Sequence, residues 1–254
     1  MTAAPTAPDR PLALVTGASS GIGAASARRL AADGYRVVCA ARRQERIEVL
    51  AAEIGGTALA CDVTDAGQVA ALAAAVGPSL DLLVNNAGLA LGMEPVAEAD
   101  LDSWQTMYAV NVLGAAAVTK AVLPALVQAH GQIIVMTSTA ADLPYEGGAG
   151  YCGAKAAERA MTGALRLELY DTDVRIAEIC PGMVRTDEFA VNRFDGDATR
   201  AAKVYEGVTA PLTAEDVADC VGWVAGRPHH VNIDRLTVRP RAQAAQHKVH
   251  RVVG

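Results

Sequence analysis

Short apolar runs alternate with longer amphipathic segments along most of the chain. Residues 12–17 read LALVTG, an apolar run that ends in glycine; residues 22–32 are alanine-rich with two arginines; residues 35–40 are apolar again. This pattern predicts strand, helix, strand. Two further helices are predicted at residues 44–53 and 65–76. The other predicted strands lie at residues 58–61, 80–85, 131–137, 174–179 and 231–238.

Repeated strand–helix units with apolar strands predict an α/β fold in which helices cover both faces of a parallel sheet. With 254 residues, 52% of them hydrophobic, the chain suits one Rossmann-type, doubly wound domain. We expect a disordered tail at residues 1–10, the catalytic domain at 11–239 and a C-terminal tail at 240–254. The polar segment 185–200 has weak periodicity and is a candidate substrate lid.

Charge and cysteine content narrow the possible partners. The net charge is −6 and the basic residues are dispersed, which argues against nucleic acid. The five cysteines are scattered without a CxxC pair, so neither a disulfide framework nor a thiolate metal site is indicated. The start of the chain lacks the pattern of a signal peptide, and no charge-free apolar run reaches the roughly 18 residues of a membrane span. We therefore expect a cytoplasmic protein that binds a small molecule and no membrane.

A glycine cluster, TGASSGIG at residues 16–23, follows the first predicted strand and opens the first predicted helix. Bare backbone N–H groups and the helix dipole can hold a pyrophosphate at such a position. Alternatively, the cluster is only a turn. The candidate cofactor-binding residues here are Gly17, Ser19, Ser20, Gly21, Ile22 and Gly23.

The end of the second strand bears on the choice between NAD and NADP. An acidic side chain there would bind the ribose 2′-hydroxyl and repel a 2′-phosphate. This strand instead ends in two alanines followed by Arg42 and Arg43. Two guanidinium groups without a carboxylate favour a 2′-phosphate and hence NADP(H), although a solvated charge pair at a helix start is the alternative.

Tyr151 and Lys155 are four residues apart in a predicted helix, so their side chains lie on one face. A nearby ammonium stabilises a phenolate, which makes a tyrosine useful in acid–base chemistry. Taken alone, the pair is also compatible with a partly buried tyrosine beside a snorkelling lysine. Ser138 ends a predicted strand thirteen residues before Tyr151, and Asn111 lies in the helical stretch before that strand.

Together with NNAG at residues 85–88 and PG at residues 181–182, these motifs resemble the short-chain dehydrogenase/reductase family. The resemblance covers about residues 12–239 and implies an oxidoreductase that transfers a hydride between a nicotinamide and a carbonyl or alcohol. It implies that Tyr151 is the general acid and base, that Ser138 polarises the carbonyl, that Lys155 binds the nicotinamide ribose, and that Asn111 supports a relay water. The further cofactor contacts that it implies are Asp62, Val63, Asn85, Asn86, Ala87, Gly88, Pro181, Gly182, Val184 and Thr186.

Several segments resemble one branch of this family, the NADP-dependent 3-hydroxy acid, serine and L-allo-threonine dehydrogenases, which also contains sulfoacetaldehyde reductases. They are NNAGLALGMEP (85–95), AVLP (121–124), FAVNRFDGD (189–197) and HHVNI (229–233). The resemblance implies a small substrate with a hydroxyl β to an acidic group. Candidate substrate contacts are Ser138, Tyr151, Met93, Arg185 and Arg193, although each arginine is also compatible with a surface or subunit contact.

Three function hypotheses follow: the hydroxy-acid dehydrogenase, a carbonyl reductase acting on a larger ketone, and a non-catalytic nucleotide-binding regulator. The regulator ranks last because the tyrosine, lysine and serine are all present. His229 and His230 have no carboxylate or cysteine at ligand spacing, so no metal is predicted. Cys152 is interpreted as a packed thiol. The resemblance also implies a homotetramer paired through the long apolar helices at residues 101–128 and 151–170.

Overall fold

A parallel sheet forms the centre of the computed structural model, which describes residues 10–186 and 188–252. Its strands are β1 (Leu12–Thr16), β2 (Arg36–Ala41), β3 (Thr57–Ala60), β4 (Leu82–Asn85), β5 (Gln132–Met136), β6 (Arg175–Pro181) and β7 (Arg235–Val238). They are arranged in the order β3-β2-β1-β4-β5-β6-β7, and every neighbouring pair is parallel. The doubly wound α/β fold expected from the sequence is confirmed.

Helices cover both faces of the sheet. They are α1 (Gly21–Ala32), α2 (Gln44–Ile54), α3 (Ala66–Val76), α4 (Leu101–Tyr108), α5 (Ala115–Ala129), α6 (Ala149–Glu168), α7 (Phe189–Arg193), α8 (Ala198–Tyr205) and α9 (Ala214–Ala225). Residues of β1 alternate between the two faces. Val15 belongs to the core cluster shared with α1 and α9, and Leu14 belongs to the cluster shared with α3 and α5.

The last strand of the sheet is shorter than the 231–238 expected from the sequence, because β7 begins only at Arg235. Asn232 interrupts the run: its side-chain Oδ1 accepts a hydrogen bond from the Ile176 N–H at 2.9 Å, and its Nδ2 donates to the Ile176 carbonyl at 3.0 Å. The asparagine side chain thus satisfies the backbone of β6 before β7 starts.

The C-terminal end of the domain differs from the simple tail expected at residues 240–254. The disordered tail expected at residues 1–10 lies, apart from Arg10, outside the described residues. The C-terminal segment instead forms an antiparallel hairpin of β8 (Gln243–Ala245) and β9 (Lys248–Val249). Gln243 is buried, and its Oε1 accepts a hydrogen bond of 2.7 Å from the Met183 N–H. The hairpin therefore supports the loop that follows β6.

The segment Leu101–Ala129 is one continuous helical stretch of 29 residues, long and apolar enough to cross a membrane by length and composition. Nearly half of its most apolar window is nevertheless buried inside the protein. Val118, Val122 and Leu126 pack against the strands in one of the two main core clusters. Its apolarity is therefore explained by its position in a helical layer on the sheet.

Candidate active site

A cavity of about 1690 Å³ opens at the carboxyl edge of the sheet, where β1 and β4 lie side by side. The strand order reverses there, because the chain continues outward to β2 on one side and later to β5 on the other. Ligands of doubly wound sheets bind in this crevice. Every site residue predicted from the sequence lines the cavity except Gly23, Asn85 and Asn111.

The glycine turn after β1 is shaped by close backbone contacts. Gly17 has φ +66°, and a Cβ there would lie 2.8 Å from the Ala87 Cα. A Cβ on Gly23 would lie 2.4 Å from the Gly17 carbonyl oxygen, so Gly23 permits the turn to pack on α1 without itself reaching the cavity. The Ser20 side chain does not cap α1. The helix therefore presents its first N–H groups and its positive dipole end to the cavity, as a pyrophosphate site requires.

The loop after β4 is fastened to the end of β1 by Thr16. The Thr16 Oγ1 accepts hydrogen bonds of 3.0 Å from the N–H groups of both Asn86 and Ala87, and the Asn86 side chain donates to the Thr16 carbonyl at 3.0 Å. Asn85 differs from its neighbours because its side chain is buried and donates to Thr119 on α5. The Asn85 side chain thus fixes the start of the loop to α5, whereas Asn86, Ala87 and Gly88 face the cavity.

The arginine corner consists of Arg42 and Arg43, which follow β2. One of the two guanidinium groups is held in place by hydrogen bonds. Arg43 donates to the Ser19 and Ser20 hydroxyls at 2.9 and 2.8 Å and to the Glu188 carboxylate at 2.7 Å. Arg46 forms a second ion pair with Glu188. Burial opposes ionisation of Glu188, but the hydrogen bonds from Arg46 and Arg43 prevail and lower its pKa to about 2. The two guanidinium groups therefore stabilise a negative charge at this corner.

The other residues predicted to bind the adenosine part of the cofactor also face the cavity. Arg42 is exposed and lines it beside Asp62 and Val63. The Asp62 carboxylate accepts hydrogen bonds from the N–H and hydroxyl of Thr64, which lower the pKa of Asp62. Asp62 is thereby kept ionised and oriented at the end of β3.

Ser138, Tyr151 and Lys155 line the same cavity. Ser138 follows β5 and caps a short 3₁₀ turn by accepting a hydrogen bond of 3.1 Å from the Ala140 N–H. Tyr151 and Lys155 lie one turn apart on α6, and both are buried. The Phe189 ring packs edge-on to the Tyr151 ring at a centroid distance of 6.0 Å. A substrate oxygen between the serine and the tyrosine would thus lie in a largely dehydrated site.

Asn111 is fully buried in a π-helical turn, Ala109–Gly114, between α4 and α5. Such turns are frequent at functional sites. Its Oδ1 accepts a hydrogen bond of 2.8 Å from the Leu89 N–H, and its Nδ2 donates to the Leu89 carbonyl at 2.9 Å. A Cβ on Gly88 would lie 3.0 Å from the Asn111 Oδ1 and 3.5 Å from the Lys155 Nζ. Asn111 therefore supports the loop wall behind Lys155 without lining the cavity.

Of the two arginines predicted to contact the substrate, one is held in place by hydrogen bonds and the other is exposed at the surface. Arg193 donates to the Gly92 carbonyl at 3.0 Å and to the Tyr145 hydroxyl at 2.8 Å, and its Cζ lies 5.7 Å from the Tyr151 ring centroid. Arg185 is exposed and stacks over the Tyr205 ring at 5.8 Å. Met93 is exposed at the rim of the same cavity. Of these two arginines, Arg193 is the one that lies over the Tyr151 ring.

The loop after β6 forms a further part of the cavity wall. Pro181 ends β6, and Gly182, Val184 and Thr186 follow it along the cavity. The Gly182 N–H donates to the Val238 carbonyl at 2.7 Å. Within residues 10–186 and 188–252, no group of three or more histidine, cysteine or acidic side chains is arranged to hold a metal ion.

Comparison with known proteins identifies the family. A family model described as short chain dehydrogenase matches residues 11–195. The chain belongs to the short-chain dehydrogenase family. The resemblance found in the sequence is thus confirmed, and this dehydrogenase carries the family motifs around one cavity.

The chain is also similar to individual proteins. The dehydrogenase is 54% identical over 235 residues to an uncharacterized oxidoreductase of Mycobacterium tuberculosis, covering 92% of each chain. It is 42% identical to the NADP-dependent 3-hydroxy acid dehydrogenase of Escherichia coli O157:H7, covering 94% of this chain and 99% of the relative. Among solved structures, the closed form of a serine dehydrogenase complexed with NADP⁺ matches with a TM-score of 0.89 and 41% identity, covering 95% of this chain and 100% of that one.

Among the side chains of the site that sequence reasoning missed, three bind residues that it predicted. Tyr145 holds Arg193, Glu188 binds Arg43, and Glu158 binds Lys155 at 2.7 Å. The only available signal was for Glu158, which follows Lys155 by three positions on the same helix. Tyr145 and Glu188 lie 48 and 145 residues from their partners, so no local pattern connects them.

Proposed function

We propose that this dehydrogenase uses NADP(H) to interconvert a hydroxyl and a carbonyl group of a small 3-hydroxy acid or the matching semialdehyde or sulfoacetaldehyde. The single observation that carries the substrate class is the Arg193 guanidinium above the Tyr151 ring. A substrate whose reacting oxygen is bound by Tyr151 would have an acidic group on the neighbouring carbon within reach of this cation.

The Arg193 side chain lines the cavity, and one of its donors is buried. Its Nε and Nη1 are bonded to Gly92 and Tyr145, whereas its buried Nη2 has no hydrogen-bond partner among the described residues. A buried donor without a partner is costly, and a carboxylate or sulfonate oxygen would satisfy it with a charge-assisted bond. Arg193 is therefore preorganised for an anion, because Tyr145 and Gly92 already fix its orientation.

The cofactor proposal is supported by the shape and charge of the adenosine end. The first N–H groups of α1 are left without a side-chain cap and can bind a pyrophosphate, and Arg43 with Ser19 offers donors to a 2′-phosphate. The arginine pair favours NADP(H) over NAD(H) because no carboxylate follows β2 directly. The NADP-dependent relative and the NADP⁺ complex of the serine dehydrogenase agree with this choice.

The chain itself supplies the proton chemistry. Bound NADP(H) supplies or accepts the hydride. Tyr151 donates its phenolic proton to the developing alkoxide, or accepts one in the reverse direction, and the Ser138 hydroxyl orients the substrate oxygen. The Lys155 ammonium would stabilise the resulting phenolate and hold the nicotinamide ribose of a bound cofactor, while Asn111 keeps the loop behind it in place.

The experiment compares acidic substrates with their methyl esters. We expect L-serine, L-allo-threonine or 3-hydroxypropionate to be oxidised with a kcat/KM well above that of the matching ester. In Arg193→Gln, this ratio should fall roughly 10- to 100-fold, the equivalent of one hydrogen bond to a charged group. Arg241→Gln is the matched control, because it removes the same charge from an exposed position that does not line the cavity. A ratio near one in the wild type, or an equal loss in both variants, would exclude an acidic substrate held by Arg193.

A second candidate is a carbonyl reductase that acts on a larger ketone. Met93 and Phe189 line the cavity and are exposed, so they offer apolar surface that a bulky ketone could contact. A uniform response to acids and esters, together with a higher kcat/KM for a bulky neutral ketone, would support this alternative.

A further inference from the structure

A buried carboxylate is bound to the lysine of the proposed acid–base pair. The Lys155 Nζ donates hydrogen bonds of 2.7 Å to the Glu158 Oε2 and 2.8 Å to the Met136 carbonyl. The side chains of Lys155 and Glu158 are only 6% and 1% exposed. An exposed pair of this kind contributes little, but this pair is out of water, where charges are weakly screened.

Of the charged groups that surround Glu158, Lys155 is its partner. On α6 it faces Lys155, with Tyr151 one turn further toward the N-terminus. Glu178 and Cys180 approach from β6, and Arg235 approaches from β7. The Glu178 carboxylate already has its own partners.

Those partners are the Thr137 hydroxyl, which donates to Glu178 at 2.7 Å, and the Arg235 guanidinium at 3.6 Å. Lys155 is therefore the cation that balances the Glu158 carboxylate in this part of the structure. In turn, Glu158 is the group that offsets the lysine charge toward Tyr151.

We propose that Glu158 is a positioning residue that holds Lys155 and partly neutralises its charge, so that the acid–base group of this enzyme is a chain of Tyr151, Lys155 and Glu158. This inference rests on the proposed role of Tyr151 and Lys155. It does not depend on which substrate is bound.

The charge state of Glu158 then changes how strongly Lys155 stabilises the Tyr151 phenolate. Burial raises the pKa of Glu158 to about 7, although Lys155 opposes this rise. Above that pH the ionised carboxylate offsets the ammonium, so the phenolate of Tyr151 is less stabilised. Below it, Glu158 is protonated and the full charge of Lys155 acts on the tyrosine.

Glu158→Gln isolates this effect. Glutamine has the same length and still accepts a hydrogen bond from Lys155, but it carries no charge. We expect the Tyr151 phenolate of the variant, without cofactor or substrate, to form about one pH unit lower than in the wild type. The measurement is the ultraviolet absorbance of tyrosinate as a function of pH. Because the chain has six tyrosines, the titration of the same protein carrying Tyr151→Phe is subtracted from each titration, which leaves the signal of Tyr151.

Activity provides the second readout. The acid limb of kcat/KM for alcohol oxidation, which reports formation of the base, should move to lower pH by the same amount as the absorbance. Glu168→Gln is the matched control, since it removes the same charge from an exposed position on α6 and should move neither curve.

An unchanged phenolate titration, or one shifted to higher pH, would overturn the proposal. If the glutamine variant fails to fold, as judged by circular dichroism, Glu158→Asp keeps the carboxylate but withdraws it by one methylene. It should shift the titration in the same direction by a smaller amount, and no shift would overturn the proposal equally. If the substrate proposal is wrong, the titration without ligand is unaffected, so the two failures can be told apart.

Discussion

The Arg43 guanidinium donates a 2.7 Å hydrogen bond to the carboxylate of Glu188, a residue 145 positions further along the chain. Glu188 lies immediately before α7, so the pair joins the arginine corner to the segment that covers Tyr151. An anion that binds at Arg43 must share this guanidinium with the carboxylate.

Glu188→Gln should therefore tighten binding of 2′,5′-ADP. Removing the competing charge frees Arg43 for the 2′-phosphate, and we expect an affinity gain of about fivefold to tenfold, because the carboxylate is partly exposed. Titration calorimetry measures it, with 5′-AMP as the control ligand. Equal changes for both ligands would show that Glu188 acts only on the shape of the site.

The two arginines after β2 should govern cofactor preference. Arg42→Asp should erase or reverse the preference for NADPH over NADH, and Arg43→Asp should have the larger effect because Ser19 and Ser20 orient Arg43. Each charge-assisted contact corresponds to at least about tenfold in affinity. The ratio of kcat/KM values for the two cofactors measures the preference, and kcat at saturating cofactor is the internal control. Unchanged ratios would identify both arginines as solvated surface charges.

Tyr151→Phe should abolish turnover while leaving NADPH binding within about twofold, because only the transferable proton is lost. Proton-transfer catalysis contributes roughly 10²- to 10⁴-fold, so the remaining rate should be below a tenth of the wild-type rate. Steady-state kinetics and NADPH fluorescence titration measure the two quantities. A Phe variant that kept more activity would remove Tyr151 from the role of acid and base.

Thr213→Ala should destabilise the fold by about 1 kcal/mol. Thr213 caps α9 through a capping box, in which its Oγ1 accepts from the Asp216 N–H and its own N–H donates to the Asp216 carboxylate. The helix packs on α1 next to the glycine turn. Denaturant unfolding gives the difference, with the exposed Thr199→Ala in α8 as the control. Equal stability of both variants would contradict the capping contribution.

A homotetramer stays a prediction from the family resemblance. Leu113 is 66% exposed on the long helical stretch before β5, and Leu167 and Tyr170 are 77% and 83% exposed at the end of α6. Large apolar side chains on two-fold-related helix faces are suited to isologous packing. Light scattering at micromolar concentration should give four times the 26.2 kDa of one chain. A monomer would contradict the prediction.

Local spacing made most of the fold and much of the site predictable. The strand–helix alternation followed from runs of apolar residues, and the fold class is confirmed. Tyr151 and Lys155 were recognisable because four residues make about one turn of a helix, whatever the remainder of the chain does. Gly17 and Gly21 were recognisable because a turn between a strand and a helix requires glycine.

The sequence by itself determined the layers of the domain, the turn after β1 and the residues available for acid–base chemistry. Only the tertiary structure decided that Glu158 faces the interior, that Glu188 reaches Arg43, and that Tyr145 aims Arg193 at the tyrosine. The spacing of Glu158 from Lys155 was visible, but burial, which turns a weak surface pair into a dry ion pair, depends on what packs against α6. The other two contacts depend on how distant segments of the chain meet at the edge of the sheet, and no local pattern encodes that.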